Sequence, residues 1–301
     1  MIRGCQDVSS GRRMHTSEQI TRKSASNLAL AFILLPEAKR QAMTALYAFC
    51  REVDDIADED SSPVAQRREE LNRWREDIQR TCAGGESKFG INRELAPFVA
   101  KYRLPFNLFD ELIRGVEMDL DQHEYPDYAS LETYCYRVAS VVGLLSIEIF
   151  GFQDARCKDY AIALGQALQH TNILRDIGND AGRGRIYIPQ SELKRHGVTA
   201  AEIAARTDSE RFQTLCRALA DKARGYFRKA RERLPDVDRK SMIAAELMGS
   251  VYWHLLCELE AEKFPVLQNQ PFKLSKGRKV GLVLLAAARV KWGFSVAQYG
   301  T

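Results

Sequence analysis

The sequence lacks the short motifs that mark several enzyme classes. It contains no G-x-x-x-x-G-K-[ST] and no G-x-G-x-x-G segment, which argues against P-loop and Rossmann nucleotide sites. It has no EF-hand spacing, and no Glu-x-x-His stands on an apolar helical segment, which disfavours a calcium loop and a di-iron bundle. The five histidines, at 15, 123, 170, 196 and 254, form no metal-spaced pair.

Cysteine pairs and long apolar runs are also missing. The seven cysteines contain no C-x-x-C pair, and their odd number predicts reduced thiols in a cytoplasmic protein. The longest apolar run, VGLVLLAAARV, is about half the length of a membrane span. Residues 1–21 are polar, lack the apolar region of a signal peptide and are predicted to be a disordered leader, with the start at Met1 or Met14 left open.

Segments typical of β-strands are scarce, and apolar residues recur at helical spacing along most of the chain. No linker, repeat or low-complexity tract interrupts the pattern. The sequence therefore predicts one all-α domain over residues 22–301, with long helices around a central cavity. The net charge of +4 is spread along the chain, which disfavours a nucleic-acid partner, and no obligate protein partner is evident.

Two acidic pairs break the rules of helix stability in the same way. Asp54 and Asp58 in REVDDIADED are four residues apart, so on a helix they share one face and repel each other. Asp176 and Asp180 in NILRDIGND repeat this spacing near the C-terminal end of another apolar helix, where the helix dipole disfavours acids. One such pair is usually a solvated helix face, but two in the same context indicate a function.

Magnesium offers a physical reason for these pairs. Mg²⁺ prefers oxygen ligands and is commonly held by one or two carboxylates together with substrate phosphates. Arg51 precedes Asp54 by one turn, Arg175 is next to Asp176, and guanidinium groups bind phosphate oxygens in a bidentate manner. Asn172 shares the helix face of Asp176. The sequence therefore predicts a magnesium–diphosphate site whose metal ligands are Asp54, Asp58, Asp176 and Asp180.

Longer segments resemble one protein family. YAFCREVDDIADE and LRDIGNDAGRGRIYIP resemble the two signatures of the squalene/phytoene synthase family, and MDLDQHEY and YCYRVASVVGLLSIEIFG resemble its middle region. The segments follow the family's order between about residues 22 and 265. This resemblance implies an isoprenoid synthase fold, an all-α bundle around a central substrate cavity. RVASVVGLLSIEIFG and RGRIYIPQSEL are most similar to bacterial members that make presqualene diphosphate for hopanoids.

The resemblance implies a Mg²⁺-dependent head-to-head (1′-1) condensation of two prenyl diphosphates. The expected substrate is farnesyl diphosphate and the expected product is presqualene diphosphate, with release of diphosphate. A squalene synthase that also uses NADPH, which relatives bind without a Rossmann fingerprint, and a phytoene synthase acting on geranylgeranyl diphosphate are alternatives. A cyclase-like or other prenyltransferase on the same fold is another, and a non-catalytic binding or assembly relative is disfavoured by the intact aspartate pairs.

The resemblance also assigns roles to single residues. Arg51 and Arg175 are expected to act with the four aspartates at the catalytic centre, and Arg185 is expected to close over the diphosphates. The substrate-binding residues that it implies are Tyr47, Arg137, Gln169, Asn172, Arg185 and Tyr252. Arg137 stands where relatives often carry tyrosine, and we expect it to favour retention of the product diphosphate. Asn27 and Leu28 also depart from the family pattern, which leaves the chain-length preference open.

Three further features have two interpretations each. Glu117, Asp119 and Asp121 lie either near the cavity mouth or on a solvated helix face. His170 fits an ordinary helix residue better than a catalytic base. The basic, apolar helix after PFKLSKGRK fits a packed closing helix better than a peripheral contact with the inner membrane surface, although that contact would suit an apolar product.

Overall fold

Helices make up nearly all of the regular structure. The computed structural model describes residues 15–23, 32–59, 61–268, 270–291 and 297–300. In those ranges no β-strand forms, and a single isolated parallel bridge joins Glu124 and Ile186. The predicted all-α class is therefore confirmed. The chain forms two compact units, Met1–Asn107 and Leu108–Thr301, which are described in turn.

The first unit is helical in its described regular segments. These are α1 (His15–Lys23), a 3₁₀ turn (Phe32–Leu34), α2 (Glu37–Asp58), α3 (Val64–Cys82) and α4 (Gly90–Tyr102).

The core of the first unit is built on the apolar stripe of α2. Leu46, Phe49 and Val53 are fully buried, at the spacing that places them on one helix face. The ring of Trp74 in α3 lies edge-on to Phe49, with centroids 5.7 Å apart, and stacks on Phe89 at 4.5 Å. This packing holds the buried side of α2 and leaves its opposite side to polar residues.

The second unit contains the remaining helices. They are α5 (Phe106–Asp121, whose first two residues belong to the first unit), α6 (Tyr128–Cys135), a π-helical segment (Tyr136–Ser140), α7 (Val141–Phe150), α8 (Cys157–Gly182), α9 (Gln190–His196), α10 (Ala200–Ala204), α11 (Glu210–Arg233), a 3₁₀ turn (Asp236–Asp238), α12 (Ile243–Ala261) and α13 (Lys276–Lys291).

Helix α8 is the centre of the second unit. It packs most extensively against α11 and also contacts α6, α7, α10 and α12. The π-helical segment sits directly on it, because a Cβ added at Gly165 would lie 2.5 Å from the Cα of Ser140. The hydroxyl of Ser140 donates to the carbonyl of Ile162 at 2.9 Å. Helix α8 is thus buried on several sides.

The apolar pattern of the sequence predicts one helix over residues 129–150, and this prediction is confirmed, because Tyr128–Phe150 is one helical segment whose middle, with Arg137, is π-helical. The glycines, arginines and proline of AGRGRIYIPQSEL predict a loop, and this prediction was wrong in detail. The loop ends early, because α9 begins at Gln190 directly after Pro189. Proline suits the position before a helix, since its φ is already restricted and it has no N–H to satisfy.

One helical segment has the length and composition of a membrane span, although no uninterrupted apolar run of that length exists. Tyr128–Phe150, which joins α6, the π-helical segment and α7, is 23 residues long and apolar enough to cross a membrane by length and composition. Core helices of soluble proteins pass the same test, and 56% of the most apolar window is buried inside the protein.

Some predictions fall outside the described residues. These include Asn27 and Leu28, together with residues 1–14 of the predicted leader. The rest of that leader, from His15 onward, is helical rather than disordered. Its Ser17 is buried and donates its backbone N–H to Glu94 at 3.1 Å.

Candidate active site

The aspartates of the first unit occupy the last turns of α2. Asp54 and Asp58 are both half-buried, and Asp58 is the final residue of the helix. Arg67, from the first turn of α3, donates from Nη1 to the carbonyl of Ala57 at 2.7 Å. This contact puts a guanidinium at the negative end of the α2 dipole, which offsets part of the cost of placing acids there. Nothing in the sequence marked Arg67, because the contact depends on the turn between two helices.

Arg51 bridges two acids of α2. Its Nη1 donates to Asp54 Oδ2 at 3.2 Å, and its Nη2 pairs with Asp55. The three side chains are each between 41% and 50% exposed. Burial lowers the pKa of Arg51, but the carboxylates of Asp54 and Asp55 raise it above the usual value. The structure thus joins Arg51 to Asp54 as expected and adds Asp55, while Tyr47 lies one turn earlier and is half-buried.

The second aspartate pair has a more enclosed setting on α8. Arg175 Nε donates to Asp176 Oδ1 at 2.8 Å and its Nη2 donates to Oδ2 at 2.6 Å, so the two side chains form a bidentate fork. They are only 20% and 19% exposed. Burial lowers the pKa of Arg175, but hydrogen bonds and charge from Asp176 and Tyr252 raise it well above its usual value. The structure therefore brings Arg175, Asp176 and Tyr252 of α12 together.

Asp180 lies one turn further along α8 and is half-buried. Burial raises the pKa of its carboxyl to about 7, with a further increase from Asp176, while Arg185 opposes the shift. Arg185 is itself 8% exposed. Its backbone N–H donates to the carbonyl of Asp180 at 2.9 Å, because Gly184 adopts the left-handed conformation, with φ of 74°. The loop thus folds Arg185 back onto the aspartate pair.

Two chain segments hold this end of α8 in place. The N–H of Ile186 donates to the carbonyl of His123 at 2.8 Å, which anchors the Arg185 loop to the segment after α5. On another side, the N–H of Gly178 donates to the carbonyl of Val266 at 2.8 Å. A Cβ at Gly178 would lie 2.5 Å from the backbone carbon of Leu267, so only glycine fits between the two aspartates.

Asp119 is the member of GVEMDLDQ that reaches the site. It is 5% exposed and accepts hydrogen bonds from the hydroxyls of Tyr187 at 2.7 Å and Tyr134 at 3.0 Å. Its charge contributes to the raised pKa of Asp180. The solvated-face interpretation is therefore wrong for Asp119, whereas Asp121 is exposed. Asp119 and Asp121 are two residues apart, so on a helix they point to different sides. This spacing was the only sequence signal that could have distinguished the buried acid from the exposed one.

Lysines near Arg175 were missed by sequence reasoning. The pKa of Lys279 is lowered by burial and then by the charges of Lys273 and Arg175. Three cations therefore lie near one another beside the second aspartate pair, an arrangement suited to a polyanion. Lys273 and Lys279 are distant from Arg175 in the chain, so no local motif predicts this arrangement.

The remaining predicted residues have other surroundings. Gln169 and Asn172 are joined by a hydrogen bond of 3.3 Å from Asn172 Nδ2, one to two turns before Asp176. Arg137 donates from Nε to Glu111 of α5 at 3.0 Å and approaches the sulfur of Met118. Glu111 and Met118 were not among the predicted site residues. His170 is buried and stacks on Tyr226, as expected for a packed helix residue.

The donor sets suit a hard divalent cation. Each pair supplies carboxylate oxygens, and the raised pKa of Asp180 reports the cost of burying two acids together, which a cation would relieve. Among the described residues, no group of three or more His, Cys, Asp or Glu side chains forms a metal site by itself. Each pair would therefore need water or substrate oxygens to complete a coordination shell, as is typical of Mg²⁺.

Comparison with known proteins gives a consistent result. Residues 21–278 match the model of the squalene/phytoene synthase family. The chain is 38% identical to the presqualene diphosphate synthase of Rhodopseudomonas palustris over 264 residues, covering 86% of this chain and 92% of that protein. It is 34% identical to a 15-cis-phytoene synthase of Synechococcus elongatus, with coverage of 84% and 86%.

Solved structures agree on the fold. A dehydrosqualene synthase in complex with a ligand matches with a TM-score of 0.82 at 28% identity, covering 92% of this chain and 95% of that one. A squalene synthase from Alicyclobacillus acidocaldarius matches with a TM-score of 0.75 at 28% identity, covering 86% and 95%. The isoprenoid synthase fold expected from the sequence is therefore confirmed.

Proposed function

Because the chain belongs to the squalene/phytoene synthase family of prenyltransferases, we propose that it condenses two farnesyl diphosphates head to head. The proposed product is presqualene diphosphate, formed with release of one diphosphate for squalene and hopanoid synthesis. Similarity to presqualene diphosphate synthases from two bacteria, Rhodopseudomonas palustris and Zymomonas mobilis, supports this choice. Similarity to phytoene synthases keeps geranylgeranyl diphosphate as the alternative substrate.

The observation that carries the proposal is the cluster of charged residues at the end of α8, which is largely shielded from solvent. Asp176 is held by a bidentate Arg175, and Asp180 lies beside Arg185. Burial and the charge of Asp176 raise the pKa of Asp180, and a cation bound there would relieve this cost. A diphosphate offers oxygens both to arginines and to a cation held by the aspartates.

Magnesium is part of the proposal. Each aspartate pair, Asp54 with Asp58 and Asp176 with Asp180, would hold it through carboxylate oxygens, which are the ligands that it prefers. When bound, the metal supplies positive charge that neutralises the leaving diphosphate.

The protein's own residues account for the rest of the reaction. Arg51, Arg175 and Arg185 bind the diphosphate oxygens and stabilise the charge that develops as the allylic C1–O bond of one substrate breaks. The C2=C3 double bond of the second substrate then attacks C1, and loss of one proton closes the cyclopropane. Apolar residues of α7 and α8 exclude water, which would otherwise quench the carbocation. Tyr47, Gln169, Asn172 and Tyr252 complete the proposed polar surroundings of the substrates.

Arg137 has a proposed role in ending the reaction at presqualene diphosphate. Its Nε is engaged by Glu111, which leaves guanidinium donors for the retained diphosphate. The proposed role of this fixed positive charge is to retain the product diphosphate in the site. We expect Arg137→Tyr to release some second-step product when NADPH is present, and a variant that releases none would count against this role.

One assay tests the proposed function. The purified protein is incubated with Mg²⁺ and farnesyl diphosphate, with and without NADPH, and in parallel with geranylgeranyl diphosphate, and the products are identified by mass spectrometry. Presqualene diphosphate in both farnesyl reactions is the expected result. Squalene formed only with NADPH would favour the squalene synthase alternative, and a C40 product would favour the phytoene synthase alternative. No 1′-1 product from either substrate would overturn the proposal in favour of another prenyltransferase or a binding role.

A cytoplasmic location belongs to the same proposal. The six cysteines that the structure describes are free thiols, which supports a reducing compartment.

A further inference from the structure

Residues 297–300 pack as a strap on two helices of the second unit. The backbone carbonyl of Tyr299 accepts a hydrogen bond from Nη1 of Arg231 in α11 at 2.9 Å. The backbone N–H of Gln298 donates to the hydroxyl of Ser250 in α12 at 3.0 Å. The side chain of Tyr299 is fully buried. Segments outside helices and strands normally lie on the surface, so a buried tyrosine here indicates a specific contact with the helices.

The ring of Tyr299 occupies a space that Gly249 leaves on α12. A Cβ added at Gly249 would lie 2.6 Å from Cε1 of Tyr299 and 3.1 Å from Cδ1 of Leu164 in α8. The ring also packs on Phe227 of α11, with centroids 5.6 Å apart. The strap therefore places one aromatic ring where α8, α11 and α12 meet, and a larger residue than glycine at position 249 would push it out.

The hydroxyl of Tyr299 reaches a buried carboxyl group. Glu246, in the first turn of α12, is 3% exposed. Its Oε1 accepts hydrogen bonds from the hydroxyl of Tyr299 and, at 2.7 Å, from the hydroxyl of Tyr160 in α8. Burial raises the pKa of Glu246, and the two hydrogen bonds oppose this shift. A buried carboxyl group is costly unless its oxygens are hydrogen-bonded, so Glu246 joins the strap, α8 and α12 at one point.

The strap contacts α12 just before the residue that reaches the candidate site. Glu246, Gly249 and Ser250 are spaced so that they share one face of α12, and all three contact the strap. Tyr252 follows two residues later and is hydrogen-bonded to Arg175 of α8. A helix moves as a rigid element, so contacts that fix the first half of α12 against α8 also fix where Tyr252 meets Arg175.

We propose that Tyr299 is a positioning residue for the candidate site, which holds α12 against α8 so that Tyr252 orients Arg175 toward a diphosphate. The inference rests on the proposed function, because it takes Arg175 as a ligand of the substrate diphosphate. A side chain that served only the stability of the fold would lower the melting temperature, but its effect on diphosphate binding would not depend on Tyr252.

Calorimetric titration of the full chain with inorganic diphosphate and Mg²⁺ tests this dependence, at a temperature well below the melting temperature of each variant. Tyr252→Phe removes the hydroxyl that contacts Arg175 and should weaken binding about tenfold. Tyr299→Ala should weaken binding about fivefold, and Tyr299→Phe less, because it keeps the ring against Gly249. The double variant Tyr252→Phe/Tyr299→Ala should bind no more weakly than Tyr252→Phe, because both changes act through one contact.

A control variant lowers stability without touching the strap. Ile78 is fully buried in α3 of the first unit, so Ile78→Val should lower the melting temperature and bind diphosphate like the wild type. Circular dichroism and thermal melting establish that each variant folds. If Tyr299→Ala does not fold, Tyr299→Phe takes its place in the double variant, and the same criterion applies.

The outcomes separate this inference from the proposed function. Losses that add in the double variant, or a loss that Ile78→Val reproduces at the same fall in melting temperature, would overturn the positioning role alone. Wild-type protein that binds no diphosphate would overturn both the positioning role and the proposed function.

Discussion

The aspartates of α2 and those of α8 have the same spacing but different surroundings. In α2, Arg51 is shared between Asp54 and Asp55, and the three side chains are 41% to 50% exposed. In α8, Arg175 donates two hydrogen bonds to Asp176, and both side chains are about 20% exposed. Screening by water and salt weakens the first arrangement far more than the second.

The difference shows that one sequence pattern can produce two electrostatic environments. The α2 pair is close to ordinary surface charge, and it can rearrange with little cost. The α8 pair is organised in advance by the Arg185 loop and by the backbone around Val266, so its charges are already oriented for a ligand. We therefore expect the α8 pair to be more sensitive to substitution.

The largest expected effect is on activity. Asp176→Asn removes the carboxylate charge that pairs with Arg175, and it leaves a largely enclosed guanidinium without its counter-ion. We expect kcat/KM with farnesyl diphosphate to fall by about 10³-fold, against about 10²-fold for Asp54→Asn. Asp236→Asn, whose side chain is 90% exposed, is the control and should behave like the wild type. Equal losses in the two pairs would show that their environments do not matter.

A second comparison concerns the support of the α8 site. Asp119→Ala leaves the hydroxyls of Tyr134 and Tyr187 buried without their acceptor, so the free energy of unfolding should fall by about 3 kcal/mol. Asp121→Ala changes an exposed residue two positions away and should cost less than about 0.5 kcal/mol. Urea denaturation measures both. If the two variants are equally stable, the Asp119 network does not hold the site together.

Glycine substitutions separate close packing from helix propensity in the same region. Gly178→Ala places a methyl group against the backbone of Leu267, so we expect a loss of about 2 kcal/mol or more in the free energy of unfolding. Gly182→Ala meets no atom within 4 Å and should be neutral or slightly stabilising. A thermal melt distinguishes the two, and a destabilised Gly182→Ala with an unaffected Gly178→Ala would contradict the packing described.

The smallest expected effect is on the pH dependence of stability, and it concerns His170, which also lies on α8. Burial, and then the charge of Lys222, lower its pKa from 6.5 to about 4, while Glu132 opposes the shift. The unfolded chain binds a proton at His170 more readily than the folded chain does, so neutral His170 contributes to the free energy of unfolding. This contribution is complete above about pH 6.5 and is lost as pH falls toward 4. Between pH 7 and pH 5 the loss should be about 2 kcal/mol.

His170→Gln isolates that contribution. The variant should lose less stability than the wild type over the same pH range, because its side chain does not titrate. Measuring the difference between the two proteins removes the effect of carboxylates that also titrate on acidification. Parallel pH profiles would mean that His170 is protonated equally easily in the folded and unfolded chains.

Local features of the sequence predicted much of the fold and part of the site. Helical periodicity predicted α2 and α8, and the spacing of Asp54, Asp58, Asp176 and Asp180 was visible without any structure. The contacts of Arg51 and Arg175 with neighbouring acids were also predictable, since each joins residues within one turn of a helix. Roles for Arg185 and Tyr252 came from a family resemblance rather than from residue spacing.

The sequence by itself determined the all-α class, the two aspartate pairs and the arginines beside them, because periodicity and short spacings within a helix are local properties. Only the tertiary structure decided that Asp119 is buried while Asp121 is exposed, that Lys279 lies near Arg175, and which face of α13 meets solvent. These outcomes depend on residues that are distant in the chain. Their burial and charge environment exist only once the helices pack, so no local pattern can encode them.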